Sequence, residues 1–283
     1  FSFGYGSACR LEHPLRNRAA VYLLRIAASE LSAGLVHVNG KCVLGKGGHR
    51  EVVLNDNLPG SSRLCLSARV DAEPLPGAGT CAYGDMHVHS QFSESHVEFG
   101  LPVEAILALG ETYGIDFVCI TDHSYDLSAD PQNYEHSDPA ARRWELLSQE
   151  IGRHEGCFQT CAIQGEEISC LNSNNKVLHL CAIGGKVFIP GSLDGARRGR
   201  REETQLSVHE ALERVHAHRG IAYAAHPGAR PGILQRTLLD RGNWGEAEIL
   251  GALDGVQAAN GAFDRQWQRS KQLWLRALAA GKR

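Results

Sequence analysis

No apolar run in this 283-residue chain approaches the ~20 residues a helix needs to cross a bilayer, so no membrane span is expected. There is no basic excess either, since 29 Lys and Arg stand against 32 Asp and Glu. The formal charge of -3 supplies neither a field that concentrates nucleic acid nor a polybasic patch for anionic lipid. The nine cysteines are odd in number and never fall in C-x-x-C spacing. Cys119 and Cys181 lie inside apolar runs, where the thiol behaves as a small hydrophobe. Mostly free thiols and a reducing, cytoplasmic setting are therefore expected, with a Cys157 to Cys161 disulfide left open. The chain begins at Phe1 rather than Met, which leaves a removed leader and secretion open as well. Internal repeats and low-complexity tracts are absent, and no Ser or Cys stands in a triad-like setting.

What is present divides in two, and the length suffices for a full barrel or for a medium domain with a small companion. Residues 1–80 read as a small β-rich accessory domain, sandwich-like in arrangement, with a helical piece near Ala19 to Leu31. Within it, the runs 35–38 and 41–44 flank Asn39-Gly40, whose tolerance of positive φ suits a tight hairpin, and a further β-type run covers 64–70. Glu73-Pro74-Leu75-Pro76-Gly77-Ala78-Gly79 continues neither strand nor helix comfortably, because proline lacks a donor and glycine is costly to order. The boundary is placed there. From 81 to 283, short apolar runs near 85–89, 117–122, 160–165, 177–183, 221–225 and 253–259 are separated by helical patterns at 102–113, 138–154, 207–219 and 264–280. Ser207 and Glu210 form a capping box. Such alternation predicts an α/β fold with a parallel sheet or closed barrel, its chemistry at the carboxyl ends of the strands.

Histidines recur at those ends. In His87-x-His89, period-two geometry sends both imidazoles to one side of a strand, where they can chelate one ion. Alone the pair is weak, but His123, Glu167, His179 and His226 close separate apolar runs in the same manner. Nitrogen with carboxylate ligands suits Zn²⁺, Mn²⁺ or Fe²⁺, and a carboxylate can bridge two ions.

The ordered set Asp85-Met86-His87-Val88-His89 leading to Phe92-Ser93-Glu94, then Ile120-Thr121-Asp122-His123, Gly165-Glu166-Glu167-Ile168, His179-Leu180 and His226-Pro227-Gly228 resembles the PHP family, the polymerase and histidinol phosphatase domain of metal-dependent phosphoesterases. The resemblance implies a distorted seven-stranded (β/α) barrel with up to three metal ions at its mouth. It implies that His87 and His89 hold one ion, that Glu167 bridges it to a second held by His179 and His226, and that His123 serves a third. Glu94 stands where the family usually has Asp, and Glu166 replaces Glu167 as ligand if the register slips. Asp122 reads as an outer residue that orients an imidazole or takes a proton. The family closes its site with a late Gly-x-Asp-x-His element that is missing before Arg283, so a natural continuation with the last strand is expected.

The arginine run that includes Arg197 and Arg198 is a candidate clamp for a substrate phosphate, because guanidinium pairs bidentately with phosphate oxygens. His13, His37, His49, His96, His136, His154, His209, His216 and His218 follow no partner pattern and are read as surface or helix-face residues. The expected function is a metal-dependent hydrolase that attacks a small or nucleotide-like phosphoester with a metal-bridging hydroxide, with Asp122, His179 or His226 moving the leaving-group proton. Its partner is then a small-molecule substrate. Two alternatives keep the same residues: a carbamate or carboxyl-derived hydrolase, which an appended β-rich domain fits, and a non-catalytic metal-stabilised binding module.

Overall fold

The computed structural model describes residues 2–3, 7–8, 33–38, 41–46, 48–54, 66–71, 73, 77, 79–93, 100–192, 201, 204–245, 253–261 and 263–281. The chain divides into two compact units, Phe1–Cys81 and Ala82–Arg283. Glu94, Arg197, Arg198 and the helical piece near residues 19–31 lie outside the described residues.

Among its described residues the first unit has three two-stranded antiparallel ladders: β1 (Ser2–Phe3) with β2 (Ser7–Ala8), β3 (Gly34–Val38) with β6 (Leu66–Val70), and β4 (Lys41–Lys46) with β5 (His49–Leu54). The hairpin expected across Asn39-Gly40 is therefore corrected, because 34–38 pairs with the distant 66–70. The two-residue hairpin lies instead between Lys46 and His49, where Gly48 has a φ of 85°. A second glycine-bearing pair met the same demand for positive φ, and long-range pairing took the first strand.

The second unit is α/β. Its six-stranded sheet has the order β12 (Gly255–Val256), β11 (Ile221–Ala224), β10 (Val177–Ile183), β9 (Cys161–Leu171), β8 (Phe117–Ile120), β7 (Gly84–Val88). Pairing is parallel except at β10, which runs antiparallel to both neighbours. A closed, uniformly parallel seven-stranded barrel is thus not what the described residues form. The reason lies in the turn after β9: Asn172 Oδ1 accepts from the backbone N–H of Asn174 at 3.0 Å and of Lys176 at 2.9 Å. That tight turn sends the chain straight back, so no crossover helix separates β9 from β10.

Alternation along these strands sorts their side chains. Ile168, Cys170, Leu178, Leu180, Ala182, Ala222 and Ala224 face helix α4 (Val208–Ala217) in one buried core cluster. A second cluster packs Val118 and Ile120 against α1 (Val103–Tyr113), Leu127 of α2 (Ser124–Leu127) and α3 (Arg142–Arg153) through Leu107, Trp144 and Leu147. Truncating a leucine such as Leu107, 1% exposed, to alanine costs about 2–5 kcal/mol. The helix ends follow their signals: Gly114 closes α1 at a φ of 69°, and Ser207 with Glu210 forms the capping box that opens α4. The described residues also form α5 (Ile233–Leu238) and α6 (Arg265–Ala279), the latter capped by Asp264.

The opposite face of the sheet carries Cys119, Cys181 and Tyr223, and above them the polar residues of the rim. The sheet curls far enough for its two end strands to meet there, since His87 of β7 touches Gln257, the residue after β12. The Tyr223 hydroxyl donates to the Met86 carbonyl across the same gap. Cys81, Cys119, Cys157, Cys161, Cys170 and Cys181 are free thiols, so the open question of a Cys157 to Cys161 bond is answered in the negative. No helix among the described residues is long and apolar enough to cross a membrane.

Candidate metal centre

Register decides between the adjacent carboxylates of β9. Glu167 pairs with Cys181 and Glu166 with Ala182, so the two side chains leave the sheet on opposite faces. Glu166 points into the helix-covered side, where its Oε1 accepts from the Ile189 N–H at 2.9 Å. Burial pushes its carboxyl well above the usual range, and that hydrogen bond offsets little of the shift. Glu167 points to the rim, where its side chain is 1% exposed and is surrounded by imidazoles.

Five histidines from four strand segments reach this one carboxylate. Oε1 lies 2.5 Å from His179 Nδ1 and 2.9 Å from His226 Nε2. Oε2 lies 3.3 Å from Nε2 of His87, 3.3 Å from Nε2 of His89 and 2.9 Å from Nδ1 of His123. His123 is brought in by a parallel bridge with Glu167, formed as the Glu167 N–H donates to the Asp122 carbonyl at 2.9 Å. His226 follows β11 in a left-handed conformation, φ 31°, a strained choice for a non-glycine residue that its surroundings must hold.

Outer contacts set which ring nitrogens carry protons. Gln257 Oε1 accepts from the His226 backbone N–H at 2.8 Å, which identifies that atom as oxygen, and it lies 3.0 Å from His87 Nδ1. His87 therefore donates from Nδ1 and turns its Nε2 toward Glu167. The same logic governs His89. Ser93 Oγ donates its one proton to Asp122 Oδ1 at 2.7 Å, so it accepts from His89 Nδ1 at 2.9 Å. Asp122, fully buried, also accepts from Ser90 N–H at 2.7 Å and Ser90 Oγ at 2.5 Å. It acts on the rim through Ser93 and His89.

Two lone pairs aimed at one carboxylate oxygen repel unless a positive charge lies between them. His87 Nε2 and Glu167 Oε2 are both buried and make no hydrogen bond, which is the geometry of ligand atoms around a cation. Two donor groups meet the spacing for one: His87, Glu167 and His226, and His89, His123 and Glu167. The residues present fit divalent metal. Burial opposes ionisation of Glu167, yet His179, His123 and His87 hold its carboxyl well below the usual range. Burial opposes charge on His87, yet Glu167 outweighs it and pushes the imidazole up to about 12, so without a metal ion a proton supplies the positive charge between Nε2 and the carboxylate. Burial lowers His226, against the opposing pull of Glu167.

The resemblance implied that His87 and His89 share one ion and that His179 and His226 hold another. His87 meets the spacing with His226 and His89 with His123, while the His87 and His89 ring centroids stay 5.2 Å apart. His179 belongs to neither group. It lies near the start of the reversed strand, holds Glu167 through Nδ1, and accepts from the Arg241 guanidinium at Nε2. Gln257 and Arg241 escaped the sequence reading. A polar residue directly after the last apolar run was the available signal for Gln257, whereas nothing in the spacing pointed to Arg241.

A scan against protein-family models finds no match, and a search of curated proteins finds none. Among solved structures, the chain is similar to a candidate metal-dependent phosphoesterase from Bifidobacterium adolescentis, at 15% identity and a TM-score of 0.42, over 69% of this chain and 84% of that one. It is also similar to PsfC from Pseudomonas syringae, at 10% identity and a TM-score of 0.44, over 70% of this chain and 72% of that one.

Proposed function

We propose that the second unit is a PHP-like, divalent-metal-dependent hydrolase of small or nucleotide-like phosphoesters. The observation that carries this reading is the convergence of His87, His89, His123 and His226 on the buried Glu167, with outer oxygens turning the Nε2 lone pairs of His87 and His89 inward. His87 and His226 would hold one ion and His89 and His123 another, with Glu167 shared; Zn²⁺, Mn²⁺ and Fe²⁺ all suit this donor set. When bound, such ions acidify water and neutralise charge that builds on an attacked phosphorus. The remaining work falls to the chain. Gln257 and the pair Asp122 and Ser93 orient the imidazoles, and β7 and β12 close the rim around them. His179 and His226 both contact Glu167 Oε1, which puts a proton-bearing nitrogen within reach of a leaving group at that side. Glu94, Arg197 and Arg198 remain part of the proposal on chemistry alone, as a further ligand and as phosphate contacts.

The test is hydrolysis of p-nitrophenyl phosphate and of bis(p-nitrophenyl) phosphate by the metal-free protein reloaded with Mn²⁺ or Zn²⁺. Turnover is expected on at least one, abolished in His87→Ala and His226→Ala while circular dichroism stays unchanged. Turnover that survives either substitution contradicts the assignment.

A further inference from the structure

Glu166 is a buried acid that the metal centre does not use. It leaves β9 on the face opposite Glu167, is 2% exposed, and satisfies one carboxyl oxygen with the Ile189 N–H at 2.9 Å. Its other oxygen, Oε2, is buried and makes no hydrogen bond among the described residues. A buried carboxyl oxygen without a partner costs stability, so what surrounds it bears on its role.

Glu166 lines a cleft on the helix-covered side of the sheet. Trp144 of α3, Ala182 of β10, Val187 and Ile189 of the segment after β10, and Val215 and His218 at the carboxyl end of α4 line it too. The sheet and its flanking helices hold these walls. Gln164 Nε2 donates to the Trp144 carbonyl at 3.1 Å, which ties α3 to β9, and the Trp144 ring packs against Phe188 at 5.8 Å between centroids. Gly220 brings the link between α4 and β11 against the end of β10, since a Cβ there would lie 3.2 Å from the Ile183 carbonyl oxygen. Val187, 45% exposed, marks the mouth, whereas Trp144, Ala182, Ile189 and Val215 are buried.

Size and donor count choose the ligand. The cleft comprises about 240 Å³ with its open mouth included, below the ~300–1,000 Å³ of sites that take drug-sized molecules. Its enclosed part is about 10 Å³, room for one water-sized group, which an amide or carboxylate head exceeds. An ammonium fits but carries three donors, and the acceptors among the lining side chains are Glu166 and the His218 ring. A hydroxyl carries one donor and also accepts, so it pairs with Oε2 whether the carboxyl is ionised or neutral. We propose that this cleft is a small-molecule site separate from the metal centre, which takes the hydroxyl of a short aliphatic alcohol on Glu166 Oε2 and its alkyl chain against Val187, Ile189 and Val215.

Titration of the full chain with 1-propanol, followed through the NMR signals of the Ile189 amide and the Trp144 indole, tests this. Saturable shifts of both are expected, with a Kd on the order of 1 mM, the scale for a ligand of so few atoms. Propylammonium, of the same length, should bind about tenfold more weakly. Glu166→Leu removes the acceptor and is expected to weaken 1-propanol binding by about tenfold or more. If that variant fails to fold, Val187→Phe leaves the carboxyl in place, narrows the mouth, and should weaken binding by about the same factor. Shifts in the parent that never saturate would mean that the cleft holds water only, and would overturn the proposal. Unchanged affinity in a folded variant overturns it too, and so does tighter binding of propylammonium than of 1-propanol.

Discussion

Gln257 Oε1 lies 3.0 Å from Nδ1 of His87, a contact between residues that follow or end the last and first strands of the described sheet. The same oxygen accepts from the His226 N–H at 2.8 Å, so one amide holds both histidines of one donor group. Gln257→Leu keeps the volume and removes the acceptor. Metal affinity, measured by competition with a chelator, should fall by about 10–100-fold with the fold retained. An unchanged affinity would show that the orientation of His87 is set elsewhere.

The segment after His226 is fixed by a close approach to α6. Gly228 donates its N–H to Ser270 Oγ at 2.9 Å, and a Cβ on it would lie 2.2 Å from the Gln266 carbonyl oxygen. Gly228→Ala must therefore push the strand-end loop from the helix. A loss of about 1–3 kcal/mol is expected in urea unfolding. A variant as stable as the parent would mean that the loop shifts without cost.

Asp138 gives the protein a defined acid response. Burial by itself would raise its carboxyl, but the Arg142 backbone N–H and guanidinium and the Ala140 N–H outweigh it and lower the value. A lowered folded value means the stabilisation is fully present above the unfolded carboxylate range, about 3.9, and is lost as pH falls through the lower folded value. Asp138→Asn should be less stable than the parent by a constant margin between pH 5 and pH 7, as orders of magnitude for the window. The margin should close at more acidic pH. A gap that persists unchanged in acid would assign the effect to packing.

The second unit was legible in the sequence where periodicity and chemistry agreed. Helices with an apolar stripe and a cap, such as α4 behind Ser207, follow directly from local signals. So do the strand ends that carry His87, His123 and His226. The reversed strand was not legible, because an apolar run of seven residues such as Val177–Ile183 carries no mark of direction. The Asn172 turn that sets it lies in a segment of ordinary polar residues. Likewise, Asn39-Gly40 is a real hairpin signal that lost to a long-range partner no local pattern specifies. Gln257 and Arg241 serve the centre from positions fixed only once the sheet has curled, so their roles exist in space and not in spacing.

The account depends on Glu167 as a shared anchor for cations. Titration of the metal-free chain with Zn²⁺ or Mn²⁺, with elemental analysis of the loaded protein, tests this in the parent and in Glu167→Gln. The expected result is a pair of ions in the parent, and in the variant a folded protein whose affinity drops by more than the ~100-fold that loss of an outer partner costs. Equal stoichiometry and affinity in the two proteins would contradict it.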